Sequence, residues 1–228
     1  METFILAFSK PVWEIVAPSI LDTLYMTATA TLITAVFGLI CGLLLVVTDK
    51  DGLRPCRAFN AFFGGITNAV LSLPSMIVII LTLPISKLII GITYGPKACI
   101  IALSVTCIPM FARLIETSLL EVSKGKIEAV KAMGAKDMDI ILKVMVPEAL
   151  PSLIRNFSVT IIALISVTAI AGSFGAGGLG DIAVRYGYQR FRSDILIAAV
   201  STLLVLVEFI QITGAVWSKR ILKKRHLI

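Results

Sequence analysis

The amino-acid sequence predicts an all-α, polytopic membrane protein with five transmembrane helices. Hydrophobic residues make up 57% of its 228 residues, and charged residues make up only 15%. This composition, with a mean hydropathy of +0.97, excludes a water-soluble globular domain of this length. Long stretches without charge recur along the chain, and the excess of basic residues is confined to a few segments. The first pattern predicts membrane spans, and the second predicts their orientation.

Four stretches are long enough to cross a bilayer, because a helix needs roughly 20 apolar residues for about 30 Å of hydrocarbon. Residues 23–48, 58–86 and 156–180 carry no charge, and residues 195–218 contain Glu208 as their only charge. A fifth, shorter span is expected between Pro96, which can begin a helix, and Arg113, which can snorkel at its end. We therefore predict a single transmembrane domain over residues 1–228, with spans at residues 20–48, 61–86, 96–115, 153–173 and 195–218.

The distribution of Lys and Arg predicts which end of the chain is cytoplasmic. Five spans place the termini on opposite sides of the membrane. With the C-terminus inside, 15 of the 21 Lys and Arg residues lie in inner segments. The positive-inside rule therefore predicts that the N-terminus is outside and the C-terminus is cytoplasmic. Because this orientation accounts for the formal net charge of +7, no nucleic-acid partner is expected.

The residues that hydrolytic enzymes and metal sites require are scarce. His226 is the only histidine, which removes histidine-centred metal sites and any Ser-His or Cys-His pair. The four cysteines have no CxxC spacing, and three of them lie in apolar runs, where they act as small hydrophobic residues. No P-loop pattern is present. We therefore expect no catalytic residue, no metal site and no cofactor bound by this chain.

The segment 116–150 between the third and fourth spans is the longest polar segment. Ile127, Val130 and Met133 recur at helical spacing, and Gly134 is placed to end that helix. Asp137 is predicted to cap a second helix. Apolar residues on this segment have two explanations. The helix could lie on the bilayer surface with its lysines near lipid phosphates, or it could dock into a groove of another protein.

Part of this segment resembles a known motif. The order Glu128-Ala129-Val130, three residues, Gly134, nine residues and Val144-x-Val146-Pro147 resembles the EAA loop of ATP-binding-cassette importer permeases, E-A-A-x3-G-x9-I-x-L-P. The stretches DTLYMTATATLI, EAVKAMGAKDMDIILKVMVPEALPSLI and GSFGAGGLGDIAVRYGYQRF extend the resemblance over nearly the whole chain, to the methionine importer permease family. The resemblance implies the type I importer permease fold in the bacterial inner membrane.

The same resemblance implies a function and a set of partners. The family translocates methionine by alternating access. Its members work as homodimers with two copies of an ATPase, which carries ATP and Mg, and with an extracytoplasmic substrate-binding protein or lipoprotein. The residues that it assigns to ATPase coupling are Glu128, Ala129, Val130, Met133, Gly134, Val144, Val146 and Pro147.

Two further groups of residues carry hypotheses about transport. Small residues recur along the fourth span and favour close helix packing, with pore lining as the alternative. Ile170, with Ser173 beside it, is then a candidate for a dewetting gate across a dimer axis. In the outer loop, Arg185, Tyr186, Tyr188 and Arg190 combine charge with aromatic rings, which is typical of protein contacts. Docking of the binding protein and an aromatic belt at the membrane surface are both open.

Three alternatives to methionine import remain. The substrate could be another amino acid or a quaternary amine, since no side chain is specific for a thioether. A proton-coupled secondary transporter would use Glu208 as its proton carrier, although Gln211, one turn later, could instead hold Glu208 in a structural hydrogen bond. Such transporters are commonly built from two similar halves, which five spans cannot supply. A membrane enzyme is disfavoured because no catalytic constellation is present.

Overall fold

The described part of the chain is helical and contains no strand, which confirms the predicted fold class. The computed structural model describes residues 6–224, without the side chain of Lys224, so that Arg225 and His226 lie outside the described residues. The helices, in chain order, are α1 (Lys10–Thr48), α2 (Arg57–Ser72), α3 (Ser75–Ile90), α4 (Pro96–Leu120), α5 (Lys124–Ala132), α6 (Asp137–Ile140), α7 (Val146–Gly172), α8 (Gly178–Ile182) and α9 (Ser193–Lys224). A π-helical turn, Ile141–Met145, joins α6 to α7, and another, Ala183–Tyr188, follows α8.

Among residues 6–224, four helices are long and apolar enough to cross a membrane, and a bent pair can make a fifth span. The four run over Lys10–Thr48, Pro96–Leu120, Asp137–Gly172 and Ser193–Lys223. The pair is α2 and α3, whose axes differ in direction by 110°. The structure therefore supports four spans by single helices, and the predicted number of five if α2 and α3 together count as one.

Pro74 explains why the predicted span 61–86 is two helices. Proline lacks a backbone N–H and disfavours helical backbone in the residue before it, so a helix usually ends there. α2 ends at Ser72, and Pro74 has an extended ψ of 133°. The Pro74 carbonyl then accepts hydrogen bonds from the N–H groups of Ile77 (2.9 Å) and Val78 (3.2 Å), which begin α3.

The first helix begins ten residues before the predicted span. It starts at Lys10, and Pro11 follows, at a position where the missing N–H removes no helical hydrogen bond. Val12 and Val16 are buried against Ile182 and Ile195. Packing therefore stabilises helix in a segment that contains the charged Glu14.

The chain divides into two compact units. The first comprises Met1–Ile33, Leu73–Cys107 and Ile161–Gln211, and the second comprises Thr34–Ser72, Ile108–Thr160 and Ile212–Ile228. The first unit contains two apolar clusters, one around Leu103 and Leu164 and one around Leu179 and Ile195. The second unit has one cluster, in which α4 packs on the segment 140–153, and this cluster carries the candidate site.

Candidate functional site

α5 carries the first part of the predicted motif and ends at its glycine. Gly134 has a φ of +83°, in the left-handed region that favours glycine. Its N–H donates to the Lys131 carbonyl at 3.0 Å, and the Ala135 N–H donates to the Val130 carbonyl at 3.4 Å. This pair of hydrogen bonds is the Schellman arrangement, which satisfies carbonyl groups at the end of a helix. The prediction that Gly134 ends this helix is confirmed.

The two sides of α5 differ in exposure. Ile127 and Val130 are half-buried and pack against the apolar cluster of the second unit. Glu128, Ala129 and Gly134 are exposed, and Met133 is 77% exposed. Val130 therefore lies on the supporting side of the helix, whereas the other predicted residues of α5 lie on its exposed side.

The second part of the motif lies behind the exposed side. Val144, Val146 and Pro147 are all half-buried, and Val146 packs against the same cluster as Val130. Pro147 follows the π-helical turn Ile141–Met145. The π-turn shifts the register of the backbone hydrogen bonds just before Pro147, which has no N–H to donate.

Two exposed apolar residues were missed by the sequence reasoning. Met138 is 65% exposed and Leu142 is 59% exposed, whereas Ile140, Ile141 and Met145 are buried. Met138 and Leu142 are four residues apart, a spacing that places two side chains on one helix face. This spacing was the available signal, but Leu142 directly follows Ile140 and Ile141, which drew attention to the buried side instead.

Ion pairs join the segment 116–150 to the preceding loop 49–56. Lys124 Nζ lies 2.6 Å from Asp51 Oδ2, and Arg54 Nε lies 2.5 Å from Asp137 Oδ2. The hydrogen bond from Lys124 lowers the pKa of Asp51, and the same contact raises the pKa of Lys124. Asp137 is thus not the predicted helix cap. It is the first residue of α6, after Lys136, and its carboxylate accepts the hydrogen bond of Arg54 instead.

Arg113 has a role in the second unit that the sequence did not suggest. Its guanidinium donates to Glu116 Oε2 at 2.6 Å, to Asn68 Oδ1 at 2.8 Å and to the Gly64 carbonyl at 3.1 Å. Glu116 lies on the same helix, but Gly64 and Asn68 lie on α2. Arg113 therefore ties α4 to α2, rather than only snorkelling at the end of its span.

The candidate gate residues share an exposed face at the end of α7. Ser166, Ile170 and Ser173 are exposed and follow one another at helical spacing. α7 ends at Gly172, where an added Cβ would lie 2.3 Å from the Asp181 nitrogen. The glycine allows the following segment to pack directly against this end of the helix.

The candidate docking residues lie around one aromatic ring. The guanidinium carbons of Arg185 and Arg190 lie 5.3 Å and 4.8 Å from the centre of the Tyr186 ring, within cation–π distance. Arg185 also forms an ion pair with Asp181. Tyr188 is exposed, and so is Phe191, which the sequence reasoning did not include.

Within residues 6–224, no group of three or more His, Cys, Asp or Glu side chains is arranged to hold a metal ion. The site is therefore a surface built from helix ends, apolar side chains and ion pairs.

Residues 35–225 match the family described as "Binding-protein-dependent transport system inner membrane component". The chain is 40% identical over 200 residues to the "Probable D-methionine transport system permease protein MetI" of Vibrio cholerae, covering 88% of this chain and 89% of that protein. It is 45% identical over 171 residues to the "Methionine import system permease protein MetP" of Bacillus subtilis, covering 75% and 77%.

A solved structure has the same fold. It is described as "Inward facing conformations of the MetNI methionine ABC transporter", and it matches with a TM-score of 0.91 and 34% identity over 94% of this chain and 99% of that chain. These similarities confirm the resemblance noted in the sequence and the predicted location as a multi-pass protein of the bacterial inner membrane. The chain belongs to the family of binding-protein-dependent transport system inner membrane components.

Proposed function

We propose that this chain is the membrane-spanning subunit of an ATP-driven importer that translocates methionine across the bacterial plasma membrane by alternating access. The observation that carries ATP coupling is the exposed helix α5, which presents the motif Glu128-Ala129 and ends at Gly134. The choice of methionine rests on relatives that are named for methionine transport and are 40% and 45% identical.

In this proposal, the exposed side of α5 docks into a groove of the partner ATPase. Glu128, Ala129, Met133 and Gly134 form the contact, and Met138 and Leu142 extend it with apolar surface. Val130, Val144, Val146 and Pro147 support this contact from behind. ATP and Mg are bound by the ATPase, so this chain contributes only the surface that follows the movement of that groove.

Two copies of the permease and two copies of the ATPase make up the proposed transporter, with α5 on the cytoplasmic side and the N-terminus outside. Ile170 of both copies, with Ser173 beside it, forms a gate in which the apolar Ile170 side chains exclude water. An outward-facing binding protein docks at Arg185, Tyr186, Tyr188 and Arg190. Because the two guanidinium groups are exposed around one ring, reversal of their charge is expected to weaken a salt-sensitive association with that partner.

The test is uptake of radiolabelled methionine into vesicles that contain this chain and the ATPase, with ATP and the binding protein supplied. We expect ATP-dependent uptake that unlabelled L-methionine abolishes, and competition by D-methionine measures stereospecificity. Competition only by another amino acid or by a quaternary amine would refute methionine as the substrate. Uptake by this chain alone, driven by a proton gradient, would refute ATP coupling.

A matched pair of charge reversals tests the docking surface. Glu128→Lys should abolish uptake while the permease remains folded in the membrane, because Glu128 lies on the exposed side of α5. Glu121→Lys makes the same chemical change at an exposed residue just before α5 and should leave uptake nearly unchanged. Equal losses in the two variants would contradict the proposed surface.

A further inference from the structure

A small pocket lies in the first unit, where α1 and the beginning of α4 meet. Its volume is about 270 Å³, and its lining residues are Asp22, Tyr25, Ile92, Gly95, Pro96 and Lys97. Binding sites for drug-sized molecules usually have volumes of about 300–1,000 Å³, so this pocket suits a smaller ligand.

Hydrogen bonds hold the segments around the pocket in place. Thr23 of α1 is 1% exposed, and its Oγ1 accepts a hydrogen bond from the Leu179 N–H at 2.8 Å. The Gly95 N–H, just before α4, donates to the Gly175 carbonyl at 2.8 Å. α1 and the beginning of α4 are therefore both attached to the segment 175–179, so the pocket is formed before any ligand arrives.

The Asp22 carboxylate lies close to the first residue of α4. A Cβ added to Gly177 would lie 3.5 Å from Asp22 Oδ2 and 3.7 Å from Pro96 Cγ, so both groups border one small space. Gly177 has a φ of +80°, which favours glycine, and its lack of a side chain keeps this space open. Lys97 directly follows Pro96 and lines the same pocket as Asp22.

Asp22 and Lys97 have opposite charges but do not pair with each other. Among residues 6–224, no hydrogen bond or ion pair within 4.0 Å involves either side chain. Asp22 is half-buried, and Lys97 is exposed. A carboxylate and an ammonium group that line one pocket without closing on each other are complementary to a small molecule that carries both charges.

The other walls give the pocket an apolar side and a positive potential. Tyr25 lies three residues after Asp22, on the same face of α1, and is 46% exposed, whereas Ile92 is 39% exposed. The N-terminus of α4 adds the partial positive charge of a helix end beside Lys97, which favours a ligand carboxylate there. A zwitterion with an apolar side chain matches all of these features.

We propose that this pocket binds a zwitterionic α-amino acid with an apolar side chain. Asp22 accepts a hydrogen bond from the ammonium group of the ligand, and Lys97 donates one to its carboxylate. The ligand side chain packs against Tyr25 and Ile92. A simple cation or anion would leave one of the two protein charges without a partner, so the pocket favours a ligand with both.

In the orientation of the proposed function, the pocket lies on the outer side of the membrane. The helix from Asp22 to Thr48 is about 39 Å long, more than the roughly 30 Å of hydrocarbon, so both of these residues can reach water. The inference rests on the proposed function for this orientation and for an amino acid as the substrate class. It goes further by assigning a place where the permease itself holds the amino acid after the binding protein releases it.

Protection of an introduced cysteine tests the site in the complete permease–ATPase complex in lipid nanodiscs, without ATP or binding protein. The four native cysteines are replaced by alanine, and Ile92→Cys places a thiol on the pocket wall. We expect L-methionine to slow the reaction of this thiol with a charged, water-soluble maleimide several-fold. Tyr188→Cys is the control, because Tyr188 is exposed but does not line the pocket, and its reaction rate should not change.

Two charge removals test which group of the ligand each residue binds. Asp22→Asn and Lys97→Gln should each raise the methionine concentration for half-maximal protection by up to about fivefold, the size expected for a solvent-accessible ion pair. Glu14→Gln removes a negative charge from an exposed position of α1 outside the pocket and should have no effect. The methionine analogue without an amino group should protect the Asp22→Asn variant at least as well as its parent, because it lacks the group that Asp22 binds. A variant with a distorted pocket would lose protection by the analogue as well.

The outcomes separate this proposal from the proposed function. Uptake of methionine without protection at position 92 by any α-amino acid would overturn the pocket and leave the proposed function intact. Equal slowing at positions 92 and 188, protection that persists in both charge variants, or protection by the binding protein alone would also overturn the proposal. Protection by another apolar amino acid but not by methionine would support the pocket and count against methionine as the substrate.

Discussion

Gly125 in α5 and Gly134 just after it allow the same methyl group to be added with opposite expected effects. Gly134 has a φ of +83°, and an added Cβ there would meet nothing within 4 Å. Gly125 has no positive φ, and its added Cβ would only touch Ser123 Oγ at 3.8 Å. Neither alanine causes a clash, so the difference between the two variants isolates the backbone conformation.

The magnitudes follow from backbone preferences. Alanine in the left-handed region costs about 1–2 kcal/mol, so Gly134→Ala should destabilise the end of α5 by that amount. Alanine within a helix is favoured over glycine by as much as about 1 kcal/mol, so Gly125→Ala should stabilise the same helix. Gly134→Asn should lie between them, since asparagine tolerates the left-handed region better than alanine does.

Amide hydrogen exchange of residues 127–135 in the detergent-solubilised permease measures these changes. A loss of 1–2 kcal/mol should accelerate exchange at Met133, Gly134 and Ala135 by about 5- to 30-fold, because opening of the helix end becomes that much more frequent. Gly125→Ala should slow exchange in the same helix. Faster exchange in Gly125→Ala than in Gly134→Ala would refute the reasoning. In the uptake assay, Gly134→Ala should transport less than Gly125→Ala, if the helix end is part of the docking surface.

Three further predictions concern other contacts. Reversing either charge of the Asp51–Lys124 pair should speed amide hydrogen exchange in α5, and reversing both charges should restore the original rate. Because Lys124 lowers the pKa of Asp51, the stability that the pair contributes is fully present above pH 3.8, the usual pKa of the carboxyl group. This stability is lost as the pH falls through the lowered pKa. Gly172→Ala places a Cβ 2.3 Å from a backbone nitrogen and should lower the free energy of unfolding by about 1–3 kcal/mol in thermal melts, whereas Gly65→Ala, which meets nothing within 4 Å, should not. Ile170→Ala should raise ATP hydrolysis without substrate; unchanged hydrolysis and uptake would remove the gate hypothesis.

The sequence predicts the helices of this protein better than it predicts their boundaries. Charge-free runs identify the helices that cross the membrane, because a span must be apolar wherever it meets lipid. Residues 58–86 are uniformly uncharged, however, and hydropathy alone does not distinguish one straight helix from two helices with a bend. Pro74 was visible in that run, but proline is tolerated within membrane helices, so its presence alone did not predict a bend of 110°.

The sequence predicts the local backbone of the candidate site more reliably than it predicts which side chains there are buried. Gly134 ends α5 because its conformation is local, and the spacing of Ile127, Val130 and Met133 predicts a helix correctly. Which of these side chains faces the protein depends on where the apolar cluster lies, so Val130 is half-buried and Met133 is exposed.

Long-range polar contacts are beyond the reach of sequence patterns. Arg54 and Asp137 are far apart in the chain, as are Arg113 and Asn68, and no periodicity relates them. The expectation that Asp137 caps a helix follows from its position alone. A nearby guanidinium offers its carboxylate a charge-assisted hydrogen bond, which is stronger than a bond to a neutral donor.

If α5 moves with a partner ATPase, as proposed, its contacts indicate what would transmit that movement. The ion pairs of Lys124 and Lys126 are exposed to water, and such pairs contribute little to stability. Ile127 and Val130 are half-buried against an apolar cluster that includes residues of α4 and α7. Since full burial of such a side chain contributes about 1.5–3 kcal/mol, we expect about half of that from each. The apolar contact is therefore the stronger connection. A groove that moves α5 would displace α4 and α7 through this cluster, so truncating Ile127 should reduce coupling more than removing either ion pair.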